Sequence, residues 1–181
     1  MEKERIREAE PIQVSDDPDY EALLSQTAAE RNRARTGQIV LRAKEIPWRQ
    51  NRQALVKTFL TPYGAFHTAA ADWICFIHDI KVHSGTHRHQ GGIHLFVLEG
   101  NGYTVVDDLR YDWKKWDLIT LPVKPRGCEH QHYNKKPGEP AKWMAFQYNP
   151  FNKPLGNMFE QVKDSPDWKN KKGQRQNNRR S

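Results

Sequence analysis

One stretch in the middle of the chain decides the fold, and it reads His83-Ser84-Gly85-Thr86-His87-Arg88-His89-Gln90-Gly91-Gly92-Ile93-His94-Leu95-Phe96-Val97-Leu98-Glu99-Gly100. Its apolar run from Ile93 to Leu98, closed by Glu-Gly, is typical of a buried strand that ends in a turn. Residues two apart in an extended chain point to the same face, so His87 and His89 are expected to project together while Arg88 points away. Because neutral imidazole is the commonest protein ligand for several transition metals, the pair predicts a metal site that needs a third group.

The third group is available in a second His-x-His pair, which follows a loop rich in Pro and Gly. His130 is the predicted third ligand, and His132 shares its face. His132 could be a further ligand, a general base near the metal or a barrel-lining residue bonded to a carbonyl, and we expect it beside the ligands rather than among them. A single histidine is more often a surface residue or a satisfied core residue, but two such pairs beside strand-like segments favour a metal site.

The histidine pairs and the residues around them resemble the motifs of the cupins, which are small antiparallel β-barrels around a metal. The first cupin motif is a Gly, His-x-His, three or four residues, a Glu, six residues and a Gly. His87, His89 and Gly100 match its histidines and its final glycine. Ile93 stands at the Glu position, and Gly85 is displaced from the position of the first glycine.

The second cupin motif ends in Pro-x-Gly, two residues, His, three residues, Asn. Pro125, Gly127, His130 and Asn134 match this ending. The resemblance covers about residues 72–150, and both motifs occur in the right order and at the right separation.

Short strands alternate with turn residues along most of the chain, which predicts an all-β protein with a closed barrel or jelly roll. The resemblance specifies this as a cupin, a double-stranded β-helix with an N-terminal helical extension. We predict an N-terminal arm and helix over 1–37, a cupin barrel over 38–160 and a basic, disordered C-terminal tail over 161–181.

The N-terminal helix is predicted near 18–36, with Asp17 as N-cap and Pro18 at the first helical position. Its narrow apolar stripe is expected to pack on the barrel or on a partner subunit, and the resemblance implies a homodimer. Two further local predictions are a tight hairpin turn at 99–102 and a short helix within 155–168.

Composition limits the classes of partner. The net charge of the 181-residue chain is +7, of which six charges lie in the C-terminal run from Lys169. Such a tail could touch nucleic acid or an anionic surface, but it has no aromatic residue to stack on bases, so nucleic-acid binding is not expected. No membrane association is expected either, because no apolar run is long enough, and a cytoplasmic protein that binds a small-molecule substrate is the prediction.

With Ile93 at the Glu position, the resemblance implies a three-histidine site like those of gentisate, salicylate and 1-hydroxy-2-naphthoate dioxygenases. Fe(II) is the expected metal, with Zn, Ni or Mn as alternatives, and the expected reaction is cleavage of a small aromatic hydroxy acid with O2. A site without the carboxylate is one charge more positive, which favours an anionic, chelating substrate. A metal-dependent lyase, isomerase or decarboxylase on the same barrel, and a non-catalytic small-molecule-binding cupin, remain alternatives.

Two other residues are candidates for the chemistry. Strand alternation sends His94 away from the pair, but a bulge after Gly91-Gly92 would turn it inward as a catalytic residue or a further ligand. Arg126, on the loop before His130, is the predicted partner of a substrate carboxylate. Cys128 is expected to be an inert thiol.

Overall fold

The structure of the protein is a computed structural model that describes residues 17–63, 67–152, 154–156 and 158–168. The predicted N-terminal arm and the basic run from Lys169 lie outside the described residues. The elements within them are α1 (Pro18–Thr36), two 3-10 turns (Ala43–Glu45 and Asn149–Phe151), β1 (Arg49–Gln50), β2 (Leu55–Leu60), β3 (Trp73–Asp79), β4 (Thr86–His89), β5 (Ile93–Glu99), β6 (Asn101–Val106), β7 (Leu109–Lys114), β8 (Leu118–Leu121), β9 (Cys128–Asn134), β10 (Lys142–Tyr148) and β11 (Glu160–Lys163).

The strands form two antiparallel sheets that face each other. The six-stranded sheet has the order β1-β2-β3-β10-β5-β8, and the five-stranded sheet has the order β11-β4-β9-β6-β7. Inward residues alternate with outward ones along the central strands, so that Leu95, Val97, Trp143 and Ala145 are almost fully buried between the sheets. The predicted all-β barrel with an N-terminal helix is confirmed.

The chain passes from one sheet to the other at Gly100. Strand β5 belongs to the six-stranded sheet and β6 to the five-stranded sheet, so the hairpin predicted at 99–102 is wrong. Gly100 has a φ of 77°, and a Cβ there would lie 2.1 Å from the carbonyl oxygen of Pro140. A change of sheet needs a residue with positive φ just as a hairpin does, and the local sequence therefore could not separate the two.

Helix α1 begins at Pro18, as predicted, and its first turn is capped by Asp17, whose side chain accepts hydrogen bonds from the backbone of Asp19 and Tyr20. None of its residues is buried, and the apolar stripe formed by Tyr20, Leu23 and Leu24 is 47–58% exposed. The expected packing of this stripe on the barrel is therefore not observed within the described residues. In the same part of the chain, no helix combines the length and the apolar character that crossing a membrane requires.

The barrel continues past the boundary predicted at residue 160. Strand β11 pairs with β4, and the amide of the buried Ser165 donates a hydrogen bond to the carbonyl of Arg52 at 2.8 Å. The predicted short helix is thus wrong where β11 lies. Strand β4 offers an edge for pairing about 70 residues away in sequence, which local patterns cannot reveal.

Candidate metal centre

Strands β4 and β9 bring the three predicted ligands together. In their antiparallel register His87 lies opposite His130, and His89 lies opposite Cys128. Alternation along β4 turns both of its histidines into the barrel and leaves Arg88 partly exposed. The candidate ligand atoms of His87, His89 and His130 all lie within 4.8 Å of one another. The three histidines are therefore positioned for metal binding.

Backbone groups orient two of these rings. The Nδ1–H of His130 donates to the carbonyl oxygen of Cys128 at 3.0 Å, which leaves the lone pair on Nε2 free for a metal. The amide of Gly91 donates to Nδ1 of His89 at 3.0 Å, so the neutral ring keeps its proton on Nε2. A cation held by His89 has to displace either that proton or the Gly91 amide.

Burial keeps the three rings neutral. It lowers the pKa of His130 to about 3 and that of His89 to about 4, against an ordinary value of 6.5. The pKa of His87 is also held well below 6.5, by burial first and then by the neighbouring histidines. Because a metal binds the neutral imidazole, protons compete weakly at this site at neutral pH.

The donor set fits a transition metal. Nδ1 of His87 is buried and has no hydrogen-bond partner among the described residues, which is costly unless another group satisfies it. Three imidazoles suit Fe, Zn, Cu or Ni, and within the described ranges no carboxylate or thiolate joins the cluster. His87, His89 and His130 would hold the metal.

Ile93 occupies the place beside the cluster where the first cupin motif has its Glu. It opens β5, is 5% exposed and lines the same cavity lobe as His87 and His89. An apolar side chain therefore faces the cluster at the motif's carboxylate position.

The cavity next to the cluster lies between the two sheets and has two adjoining lobes of about 380 and 400 Å3. Both lobes are lined by Phe76, His87, Ile93 and Phe159, and neither has a lysine, arginine, aspartate or glutamate among its described lining residues. The ring of Phe159 lies 5.5 Å from His87 and 6.5 Å from His89 between centroids. Since Phe159 is 60% exposed, it covers the ligand rings on the solvent side.

His132 is fixed by a chain of side-chain hydrogen bonds. The indole N–H of Trp113 donates to Oγ1 of Thr104 at 3.0 Å, and that hydroxyl lies 2.8 Å from Nδ1 of His132. An indole only donates, and Thr104 is fully buried, so the hydroxyl proton is best satisfied on Nδ1 of His132. The His132 ring then carries its proton on Nε2 and offers a donor, rather than a base, to the cavity it lines.

His94 lies on the outer face of β5, away from the cluster. It is exposed and pairs with Thr120 of β8 and Phe146 of β10, and the register with β8 runs without a shift. The bulge that would have turned it inward does not form, because Gly91 and Gly92 take their positive φ before the strand begins. The expectation of an inward, catalytic His94 is therefore corrected.

Arg126 is also outside the cavity. It is exposed and lines a groove on the outer surface with Arg88 and Asp108, and it is not among the residues that line either cavity lobe. Gly127, with a φ of 79°, turns the chain between Arg126 and β9. The loop thus directs this guanidinium away from the site, and the predicted carboxylate partner is not placed there.

Sequence reasoning missed His78, which lies on β3 in the facing sheet and lines the cavity. Burial lowers its pKa to about 3. The available signal was a single histidine inside an otherwise apolar strand, a pattern that usually marks a satisfied core residue. The two cysteines, Cys75 and Cys128, are buried, and burial raises the pKa of each thiol to about 11.

Solved structures share this architecture. A cupin-like protein from Thermotoga maritima matches with a TM-score of 0.50 and 19% identity, over 72% of this chain and 92% of that chain. The chain has the cupin fold. The predicted resemblance to cupins is thus confirmed at the level of the fold. No family model matches the sequence, and a search of curated proteins gave no match.

Two further solved structures are similar to this chain in fold. A salicylate 1,2-dioxygenase variant from Pseudoaminobacter salicylatoxidans, in complex with gentisate, matches with a TM-score of 0.50 and 18% identity over 90% of this chain. The match covers 52% of the dioxygenase, so this chain spans about half of its length. Streptomyces PAC13 with uridine matches with a TM-score of 0.50 and 10% identity, over 70% of this chain and 92% of that chain.

Proposed function

We propose that this cupin is a non-haem Fe(II) dioxygenase that cleaves a small aromatic hydroxy acid with O2. The observation that supports it most is the cluster of His87, His89 and His130 with Ile93, not a carboxylate, facing it. Three neutral ligands leave the charge of a divalent metal uncompensated by the protein. This uncompensated positive charge favours a substrate with a negatively charged oxygen that can bind the metal.

The charge of the cavity supports the same class of substrate. Its described lining contains aromatic, aliphatic, amide and hydroxyl groups and neutral histidines, but no ionised side chain. A carboxylate far from the metal would lie unpaired in an apolar space, which is unfavourable. The acid group of the substrate is therefore expected to chelate the metal together with a neighbouring hydroxyl.

The size and walls of the cavity suit a single aromatic ring. Each lobe, at about 380 and 400 Å3, is at the small end of the range for ligand sites. Ile74, Phe76 and Ile93 line both lobes and give them apolar walls. Such a pocket orients a ring by packing and leaves polar recognition to a few groups.

The chain's own residues would orient the substrate and exclude water. When bound, Fe(II) supplies open coordination positions for the substrate and O2 and the redox chemistry of ring cleavage. His132 donates from Nε2 to an oxygen of the bound acid, because its Nδ1 is held by Thr104. Phe159 shields the ligand rings on the solvent side.

The likeness in fold to a salicylate 1,2-dioxygenase in complex with gentisate adds support for hydroxylated aromatic acids as substrates. The match covers only 52% of that protein, so its activity is transferred here only as part of the proposal.

The test is O2 uptake by the anaerobically Fe(II)-loaded chain with a series of hydroxylated aromatic acids. Uptake that requires both iron and the acid, and that is lost in His87→Ala, is the expected result. The matched control is His94→Ala, which removes an outward histidine and should leave uptake unchanged. Turnover with Zn, Ni or Mn that needs no O2 would instead support a lyase, isomerase or decarboxylase.

We also propose that the chain forms a homodimer through α1. A 19-residue helix with no buried residue and an exposed stripe of Tyr20, Leu23 and Leu24 gains little from its own barrel. Because most of the stability of helices in proteins comes from packing of an apolar face, packing of the stripe against a second copy would stabilise α1.

A further inference from the structure

On the sheet opposite the metal cluster, two residues each have a buried nitrogen atom without a hydrogen-bond partner in the described part of the chain. The two atoms are Nδ1 of His78 on β3 and Nε1 of Trp143 on β10. The two residues are directly paired across the strands, and their ring centroids lie 4.7 Å apart. His78 is 4% exposed and Trp143 is 2% exposed, so bulk water does not satisfy either group.

Both residues line the lobe that also contains His87 and His130. The cluster lies on the five-stranded sheet and the unpaired pair on the six-stranded sheet, so the cavity separates them. The ring of His132 lies 4.7 Å from Trp143 and 5.5 Å from His130 between centroids, and it bridges the two groups. A ring held between the sheets would therefore present one edge to the cluster and another to His78.

Most buried polar groups in native proteins are paired, and each exception calls for an explanation, such as strain, a water molecule, an ion or a role in a functional site. Packing in the core accounts for the burial of the Trp143 ring. It does not account for the indole N–H, a donor that has no acceptor among the described residues. A buried polar group without a partner lowers the stability of the fold, a cost that an apolar side chain of similar shape would avoid. A polar pair retained on an otherwise apolar wall thus points to a binding role.

We propose that His78 and the indole N–H of Trp143 form a second polar subsite, which binds a neutral oxygen substituent of the substrate across the ring from its chelating group. This inference rests on the proposed function and narrows its substrate class. The substrate would carry a hydroxyl or carbonyl group, and not a second acid group, across the ring from the group that chelates the metal. No ionised side chain among the described lining residues could balance a charge there.

The subsite is tested by binding to the metal-loaded chain, measured calorimetrically without turnover. The probes are salicylates that carry either a hydroxyl or a methyl group at each free ring position, with Co(II) as the bound metal. The wild-type chain should prefer the best hydroxylated member over its methylated counterpart about tenfold, and His78→Leu should reduce that ratio to about one. His78→Asn, which keeps a donor and an acceptor, should restore part of it.

The matched control is Phe76→Leu, on the same strand and the same face. It should weaken hydroxylated and methylated members alike and leave their ratio unchanged. If His78→Leu binds the series with the wild-type ratio, the subsite is overturned while the proposed function stands.

A second measurement needs neither metal nor ligand. Because Nδ1 of His78 has no partner among the described residues, His78→Leu should raise the Tm of the metal-free chain, whereas His94→Leu on the outer face should leave it unchanged. A lower Tm for His78→Leu would mean that the imidazole is already satisfied, and it would overturn the subsite. If no salicylate binds the Co(II)-loaded chain, the proposed function fails and the subsite fails with it, whereas an unchanged ratio in His78→Leu overturns the subsite alone.

Discussion

The face of the strand on which a histidine lies decides whether it can hold a metal here. We predict that His87→Ala or His130→Ala lowers the affinity for Fe(II) or Co(II) by on the order of 100-fold or more, because each removes one of three donors. The affinity would be measured by anaerobic titration against a competing chelator. His94→Ala is the control, since this residue lies on the outer face of β5. Equal losses in His94→Ala and His87→Ala would contradict the assignment.

Glycines with the same backbone conformation differ in what surrounds them. Gly91 and Gly138 have φ of 91° and 100°, but a Cβ on Gly91 would lie 1.9 Å from the Pro122 carbonyl oxygen, whereas nothing lies within 4 Å of one on Gly138. Gly138→Ala should cost about 1–2 kcal/mol of unfolding free energy. Gly91→Ala should cost several times more and weaken metal binding, because the clash with Pro122 forces a shift of the backbone that also moves the nearby ligand His89.

Urea denaturation of the two variants and metal titration of the folded fraction would check this prediction. Similar losses in both variants would show that the contact with Pro122 relaxes easily.

At the residue scale, the alternation of side chains was enough to bring His87, His89 and His130 together. Inward residues of two paired antiparallel strands lie side by side on the same face of the sheet. Alternation could not place Arg126, since one residue with positive φ, Gly127, redirects the loop. Nor could it identify His78, which is singled out because its buried Nδ1 finds no partner in the part of the chain that the structure describes, and hydrogen-bond partners are set by the tertiary structure.

Among the elements, α1 differs from the central strands because none of its side chains is buried, although Asp17 caps its first turn. We predict that Leu23→Asp with Leu24→Asp leaves the Tm of the barrel nearly unchanged, because neither residue is buried. The same pair should convert the proposed dimer to a monomer, as measured by light scattering during gel filtration. Ser25→Asp with Gln26→Asp, off the apolar stripe, is the control and should keep the dimer. A wild-type chain that is already monomeric would contradict the proposed dimer.

Local patterns predicted α1 and most strands, but they did not predict how the strands associate. The turn at Gly100 was correctly placed and wrongly interpreted, since the same positive φ serves a hairpin and a change of sheet. Strand β11 was not predicted as a strand, because its extended conformation depends on pairing with the edge of β4 and its own sequence has no strand pattern.

Across the whole molecule, the barrel encloses five buried histidines, namely His78, His87, His89, His130 and His132. Burial lowers the pKa of all five below the ordinary 6.5, to about 3 for His78 and His130 and about 4 for His89. Below pH 6.5 the unfolded chain therefore binds protons that the native chain does not, and stability falls as the pH falls.

For the metal-free chain we predict a loss of unfolding free energy that approaches about 1.4 kcal/mol per pH unit for each buried histidine well below pH 6.5. Urea denaturation at several pH values between about 7 and 5 would measure this slope. His78→Leu should reduce the slope by about one proton, whereas His94→Ala should not reduce it. A stability that stays constant over this range would contradict the burial of the five rings.

Both cysteines of the chain, Cys75 and Cys128, are buried, with thiol pKa values near 11. At neutral pH they are protonated and shielded, so maleimides and spin labels should leave them untouched in the folded protein. A cysteine introduced on the exposed face of α1 would then be the single reactive thiol, and the wild-type cysteines need no replacement. Distance measurements between two labelled copies can therefore follow the helix in an otherwise unaltered chain.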